Sequence, residues 1–117
     1  MLEGFLSTDP KKSKFANWTK VKMMYCDGAY HQGSNPNPVQ YKDTSLYFRG
    51  ADNIRSHLQY LVNNYNLASA ESVVWTGSSA GALACFLWTN YVRSLLNRPE
   101  VMVSVPDSGA FLNYPSS

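Results

Sequence analysis

The stretch Glu71-Ser72-Val73-Val74-Trp75-Thr76-Gly77-Ser78-Ser79-Ala80-Gly81-Ala82-Leu83-Ala84-Cys85-Phe86-Leu87-Trp88 decides how this chain is read. Residues 71–76 are mostly β-branched and aromatic and predict a short buried strand. Residues 82–88 form an apolar run that predicts a core helix. Between them, Gly77-Ser78-Ser79-Ala80-Gly81 matches the G-x-S-x-G nucleophile elbow in the strand-then-helix context that the motif requires. Such a turn is so tight that it lifts the Ser79 hydroxyl clear of the backbone. Side chains at 77 and 81 are expected to collide with neighbouring chain, so both positions must be tiny. Ser79 then lies at the amino end of a helix, where free N–H groups favour developing negative charge. The bland alternative is a Gly/Ser-rich turn without chemistry.

Outward from this segment, strands and helices alternate. Val21-Lys22-Met23-Met24-Tyr25-Cys26 reads as a strand stopped by Asp27-Gly28, and residues 28–45, with Pro36 and Pro38, read as a long irregular loop. Leu46–Gly50 leads into a helix whose inner face carries Ile54, Leu58, Leu61, Val62 and Tyr65, ending at the Asn63-Asn64-Tyr65-Asn66 cluster. The elbow helix runs to about Leu96, with Arg93 and Arg98 near its end and Pro99 beyond. Val101–Val105 is a third strand, turned away by Pro106-Asp107-Ser108-Gly109. The order β, loop, α, β, α, β predicts an α/β fold: a parallel sheet with crossover helices and ligands at the strands' carboxyl ends. Ser79, Asp107 and Asp27 all fall at such ends.

Composition narrows the function classes. The chain has 117 residues, 44% hydrophobic and 14% aromatic, and a net charge of +2. That suits one small domain or part of a larger one, and it gives no footprint for nucleic acid. No stretch approaches the length of a membrane span. Met1-Leu2-Glu3-Gly4-Phe5 lacks the basic start and apolar centre of a secretion signal. Cys26 and Cys85 make no disulfide framework; Cys85 reads as a small buried hydrophobe. No metal-binding cluster, phosphate-cradling loop or paired carboxylates are visible.

A serine nucleophile needs a base, a group to orient the base, and donors for the oxyanion. Ser79 is the candidate nucleophile and the Ala80 backbone N–H the donor that an elbow supplies. Asp107 reads as a triad acid, an orienting neighbour, or a turn-former. Asp27 reads as a turn whose position also permits a substrate contact. Both histidines precede Ser79: His57 on a helix, His31 in the long loop, from which it could reach a cleft. No histidine follows Ser79, so the whole catalytic apparatus is not expected within this chain.

Four ordered segments resemble the pectin acetylesterase/Notum family of serine carboxylesterases. They are Asn17–Val21 running into Tyr25-Cys26-Asp27-Gly28, then Leu46–Gly50, Gly77–Gly81, and Pro106-Asp107-Ser108-Gly109-Ala110-Phe111-Leu112. The resemblance covers nearly the whole chain and implies a partial α/β-hydrolase domain over residues 1–117, truncated at both ends, without metal or organic cofactor. It implies Ser79 as nucleophile, Ala80 as oxyanion donor, Asp107 as a supporting residue rather than the triad acid, and a catalytic aspartate and histidine supplied elsewhere. The implied activity is hydrolysis of an ester on a polysaccharide such as pectin or on an acylated protein, in a secreted or endomembrane parent. This chain has Ala82 where the family commonly has a further glycine. The other reading is a non-catalytic carbohydrate-binding remnant of the same fold.

Overall fold

In the computed structural model, residues 4–111 are described; Met1–Glu3 of the amino-terminal segment and Leu112 of the last family-like segment lie outside them. The elements are β1 (Val39–Tyr41), β2 (Thr44–Leu46), α1 (Gly50–Tyr65), β3 (Val73–Ser78), α2 (Ala80–Ser94) and β4 (Met102–Asp107), with single 3₁₀ turns at Gly4–Leu6, Leu67–Ser69 and Pro99–Val101. β3 and β4 pair in parallel, from Val73 beside Met102 to Ser78 beside Asp107. This is the α/β arrangement expected from the alternation of elements, with α2 as the crossover between parallel neighbours.

Two expectations change. Val21–Cys26 joins no strand ladder, and Val21, Met24 and Tyr25 are exposed. β-branched and apolar residues favour extended chain, but a strand also needs a neighbour to receive its N–H and C=O groups. No such neighbour is present among the described residues. Conversely, the loop at 28–45 holds a small antiparallel hairpin, with Val39 opposite Leu46 and Tyr41 opposite Thr44. Lys42 at its tip has φ 51°, and its ammonium lies 5.4 Å from the Tyr41 ring centre. The turn, rather than a long hydrophobic pattern, makes this hairpin, so periodicity did not reveal it.

The core lies where α1, α2 and β4 meet: Ala51, Ile54 and Leu58 pack with Ala84, Trp88, Val92, Leu96 and Met102. On α1 the inner face is narrower than its pattern suggested. Leu58 is 1% exposed, whereas Tyr65 is 62% exposed, its ring tilted 51° from that of Tyr60 with centroids 5.9 Å apart. Asn66 ends the helix in the left-handed conformation (φ 54°), its N–H donating to the Leu61 carbonyl.

One face of the sheet and one side of α2 remain bare. The register puts Val74, Val103 and Val105 on one side of the β3–β4 pair, and all three are exposed. Phe86 and Leu87 are 59% and 60% exposed on an otherwise apolar α2. The accessible surface is 8668 Å², against roughly 6,400 Å² for a compact 13.1 kDa protein. The Cα radius of gyration is 16.3 Å, where a compact chain of this length has about 13 Å. A helix that is apolar nearly all round normally lies buried, and here one side of it and one face of the sheet stand uncovered.

Leu58→Ala is expected to cost about 3 kcal/mol, because a fully enclosed side chain is replaced by a cavity. Tyr65→Ala should stay within about 0.5 kcal/mol. Urea unfolding of the two variants checks whether the core is drawn in the right place.

Candidate active site

Ser79 alone separates β3 from α2, and it does so in a conformation rare for any residue but glycine: φ 54°, ψ −115°. Holding an L-residue there costs on the order of 1–3 kcal/mol and persists only where the surroundings over-determine it. The surroundings grip both its peptide units. The Ser79 N–H donates to the Asp107 carbonyl at 3.1 Å, and the Ser79 carbonyl accepts from Ala82 N–H at 2.9 Å and Leu83 N–H at 3.3 Å. Its side chain makes no capping bond to the helix, and the residue is exposed. The hydroxyl therefore stands at the helix amino end without a hydrogen-bond partner among the described residues. Ala80 opens α2, so its N–H has no carbonyl one turn back and is free to donate to an incoming oxyanion.

Gly77 is required by contact. A Cβ there would lie 2.6 Å from the Gly81 carbonyl carbon and 2.9 Å from Gly81 Cα. Gly81 differs from expectation: a Cβ on it meets nothing within 4 Å among the described residues. The collision is one-sided, because the sharp bend carries the first helical turn back over residue 77 rather than the reverse.

Asp107 acts on the elbow through its backbone. It ends β4 beside Ser78, its carbonyl holds Ser79 N–H, and among the described residues its exposed carboxylate accepts only the Ser108 hydroxyl, at 3.3 Å. Ser108 follows with φ 52°.

Asp27 is 4% exposed. Its Oδ1 accepts N–H groups of Ala29 (3.0 Å) and His31 (3.3 Å), and its Oδ2 those of Gly33 (2.9 Å) and Gly50 (3.0 Å). Gly50 is the first residue of α1, and Arg49 before it supplies no side-chain cap. The carboxylate thus caps α1 from 23 residues away and closes the 27–33 loop in the same act. Both oxygens are thus engaged by backbone donors, two on each. Burial by itself pushes the carboxyl up, but donors from Ala29, Gly33, His31 and Gly50 together outweigh it and hold Asp27 below its ordinary value of 3.8. Sequence reading found Asp27 but not this role; Gly33 and Gly50, where a side chain would strike its carboxylate, were the available signal.

Neither histidine takes part in the hydrogen bonds that hold Ser79. His31 is buried against the Tyr25 ring (centroids 4.8 Å apart), and its carbonyl accepts the Trp88 indole N–H at 3.3 Å. Burial lowers its imidazole below 6.5, partly offset by the Asp27 charge. His57 lies exposed on α1. No hydrogen bond joins Ser79 to a histidine among the described residues. Nor do the described residues contain a group of three metal-ligating side chains. Cys85 is buried, its thiol pushed up to about 11 by burial, while Cys26 is exposed and unpaired with it.

Comparison with known proteins bears on this arrangement. The family model for pectinacetylesterases matches residues 1–117. Pectin acetylesterase 5 of Arabidopsis thaliana is 36% identical over 114 residues, covering 97% of this chain and 26% of that protein. Pectin acetylesterase 4 of the same plant is 33% identical over 111 residues, covering 94% and 27%. The palmitoleoyl-protein carboxylesterase NOTUM of Schmidtea mediterranea is 26% identical over 120 residues, covering 98% and 22%. The chain therefore spans about a quarter of the length of the curated relatives it matches. No solved structure matches it.

Asp27→Asn should cost on the order of 3 kcal/mol, since an amide cannot accept all four N–H groups. A carboxyl held low in the folded state stabilises above its unfolded value and loses that contribution as pH falls through the folded one. Acid titration of unfolding should therefore be flatter for Asp27→Asn than for the unaltered protein, with the difference concentrated below about pH 4.

Proposed function

The chain belongs to the pectinacetylesterase family, and from that premise we propose that it is the nucleophile-bearing part of a serine carboxylesterase. The observation that carries the reading is Ser79 at φ 54°, ψ −115° between β3 and α2, its hydroxyl without a hydrogen-bond partner among the described residues, next in sequence to the open N–H of Ala80. Ser79 Oγ attacks the carbonyl carbon of an ester, and its proton passes through a general base to the departing alcohol. The carbonyl oxygen takes up the negative charge and draws on the Ala80 N–H. Collapse breaks the bond to the alcohol and leaves an acyl-serine. Water then adds to the acyl carbon, the carboxylic acid leaves, and Ser79 is restored.

Residues 1–117 form one partial α/β-hydrolase domain in this reading, and the base and its orienting acid come from other parts of the longer protein. The substrate is an acylated polysaccharide such as pectin or an acylated protein, the two ester types in the relatives' names. Such substrates place the parent protein outside the cell or in the endomembrane system. Asp107 supports the site from its flank, and the chemistry calls for no metal or organic cofactor.

Hydrolysis of p-nitrophenyl acetate and labelling by a fluorophosphonate test this. The complete reading frame should label at Ser79, and Ser79→Ala should lower kcat by at least about 10⁴-fold. The 117-residue chain alone should show no Ser79-dependent turnover. Turnover by that chain matching the complete protein would place the base within it. Glycan binding by a complete protein that never labels would make this a binding remnant instead.

A further inference from the structure

The turn after β4 presses closely on the first turn of α2. Gly109 sits so close to Ala82 that a Cβ on it would fall well inside 3.0 Å of the Ala82 Cβ, a separation real Cβ atoms essentially never show. The next nearest atoms, Phe86 Cε2 at 3.4 Å and Ala82 Cα at 3.6 Å, are in ordinary contact range. Gly109 has no positive φ, so space rather than backbone freedom makes it glycine. Ala82 is fully buried, and its N–H is bound to the Ser79 carbonyl. It has no room to withdraw.

We propose that Gly109 is a positioning residue for the nucleophile. Its bare Cα lets the 107–109 turn lie against Ala82, close enough for the Asp107 carbonyl to hold Ser79 in its unfavourable conformation. This rests on the serine-esterase reading above. The physical chain is short. Ser79 is held at its N–H by residue 107 and at its carbonyl by residue 82, and residues 109 and 82 touch. The turn and the helix therefore clamp Ser79 from two sides, and the clamp closes through the Gly109–Ala82 contact. A methyl group at 109 must push the turn outward by about 1 Å, and the 3.1 Å bond from Ser79 N–H to Asp107 does not survive such a displacement. Ser79 is then free to relax toward ordinary backbone angles, which carries its hydroxyl away from the Ala80 N–H.

The contact also predicts its own repair. Removing the Ala82 methyl leaves a Cβ at 109 with nothing nearer than the 3.4 Å contact, so Ala82→Gly should rescue Gly109→Ala. In the complete enzyme, Gly109→Ala should lower both kcat for p-nitrophenyl acetate and the fluorophosphonate labelling rate constant by about 10²-fold. KM should change less than about twofold, because ground-state binding is not what is lost. The labelling rate constant is independent of how much folded protein is obtained, so low yield does not mask the result. The double variant should return both rates to those of Ala82→Gly alone. Normal labelling by Gly109→Ala, or failure of Ala82→Gly to restore it, would overturn the proposal. Ser79→Ala tested alongside separates the two ideas: if it retains turnover, the serine mechanism falls, whatever Gly109 does.

Discussion

One hydrogen bond, from Ser79 N–H to the Asp107 carbonyl, ties the end of one strand to the sharp bend at the end of its neighbour. Ser79 would not stay at φ 54° unaided, since an L-residue there places its Cβ against the backbone. The parallel ladder delivers Asp107 level with Ser78, and that register puts a carbonyl within reach of the next residue's N–H. The strain is therefore sustained by the sheet. Gly77 beneath the bend and Gly109 beside it leave room for the close approaches this requires.

A second constraint works at a distance. The Asp27 carboxylate gathers four backbone N–H groups and joins the loop at 27–33 to the start of α1. His31, within that loop, accepts the Trp88 indole and so ties it to α2. The loop is long and lies almost outside regular structure, but it is not loose: a buried charge fully satisfied by hydrogen bonds is strong and direction-specific. The core residues Ile54 and Leu58 depend on where this clasp sets the first turn of α1.

The bare face of β3 and β4 and the exposed side of α2 belong with the comparison findings. The chain covers about a quarter of its relatives' length, and its β3–β4 sheet leaves one apolar face open. Val74, Phe86, Leu87, Val103 and Val105 together leave an apolar surface open to solvent.

The elbow was legible in the sequence because its signal is local: β-branched residues, two glycines at a fixed spacing and an apolar helix lie within eighteen consecutive positions. The helix at 50–65 and the strands at 73–78 and 102–107 were legible for the same reason, since their periodicity needs no distant partner to be seen. What remained hidden depends on partners far apart in the chain. Asp27 as the cap of α1, Asp107 acting through its carbonyl and Gly109 against Ala82 arise only when segments 23 to 28 residues apart meet. Residue types and their spacing determined which elements form and which serine is raised. The tertiary structure alone decided which backbone groups hold that serine in place, because a hydrogen bond or a steric contact exists only once its two halves have been brought together.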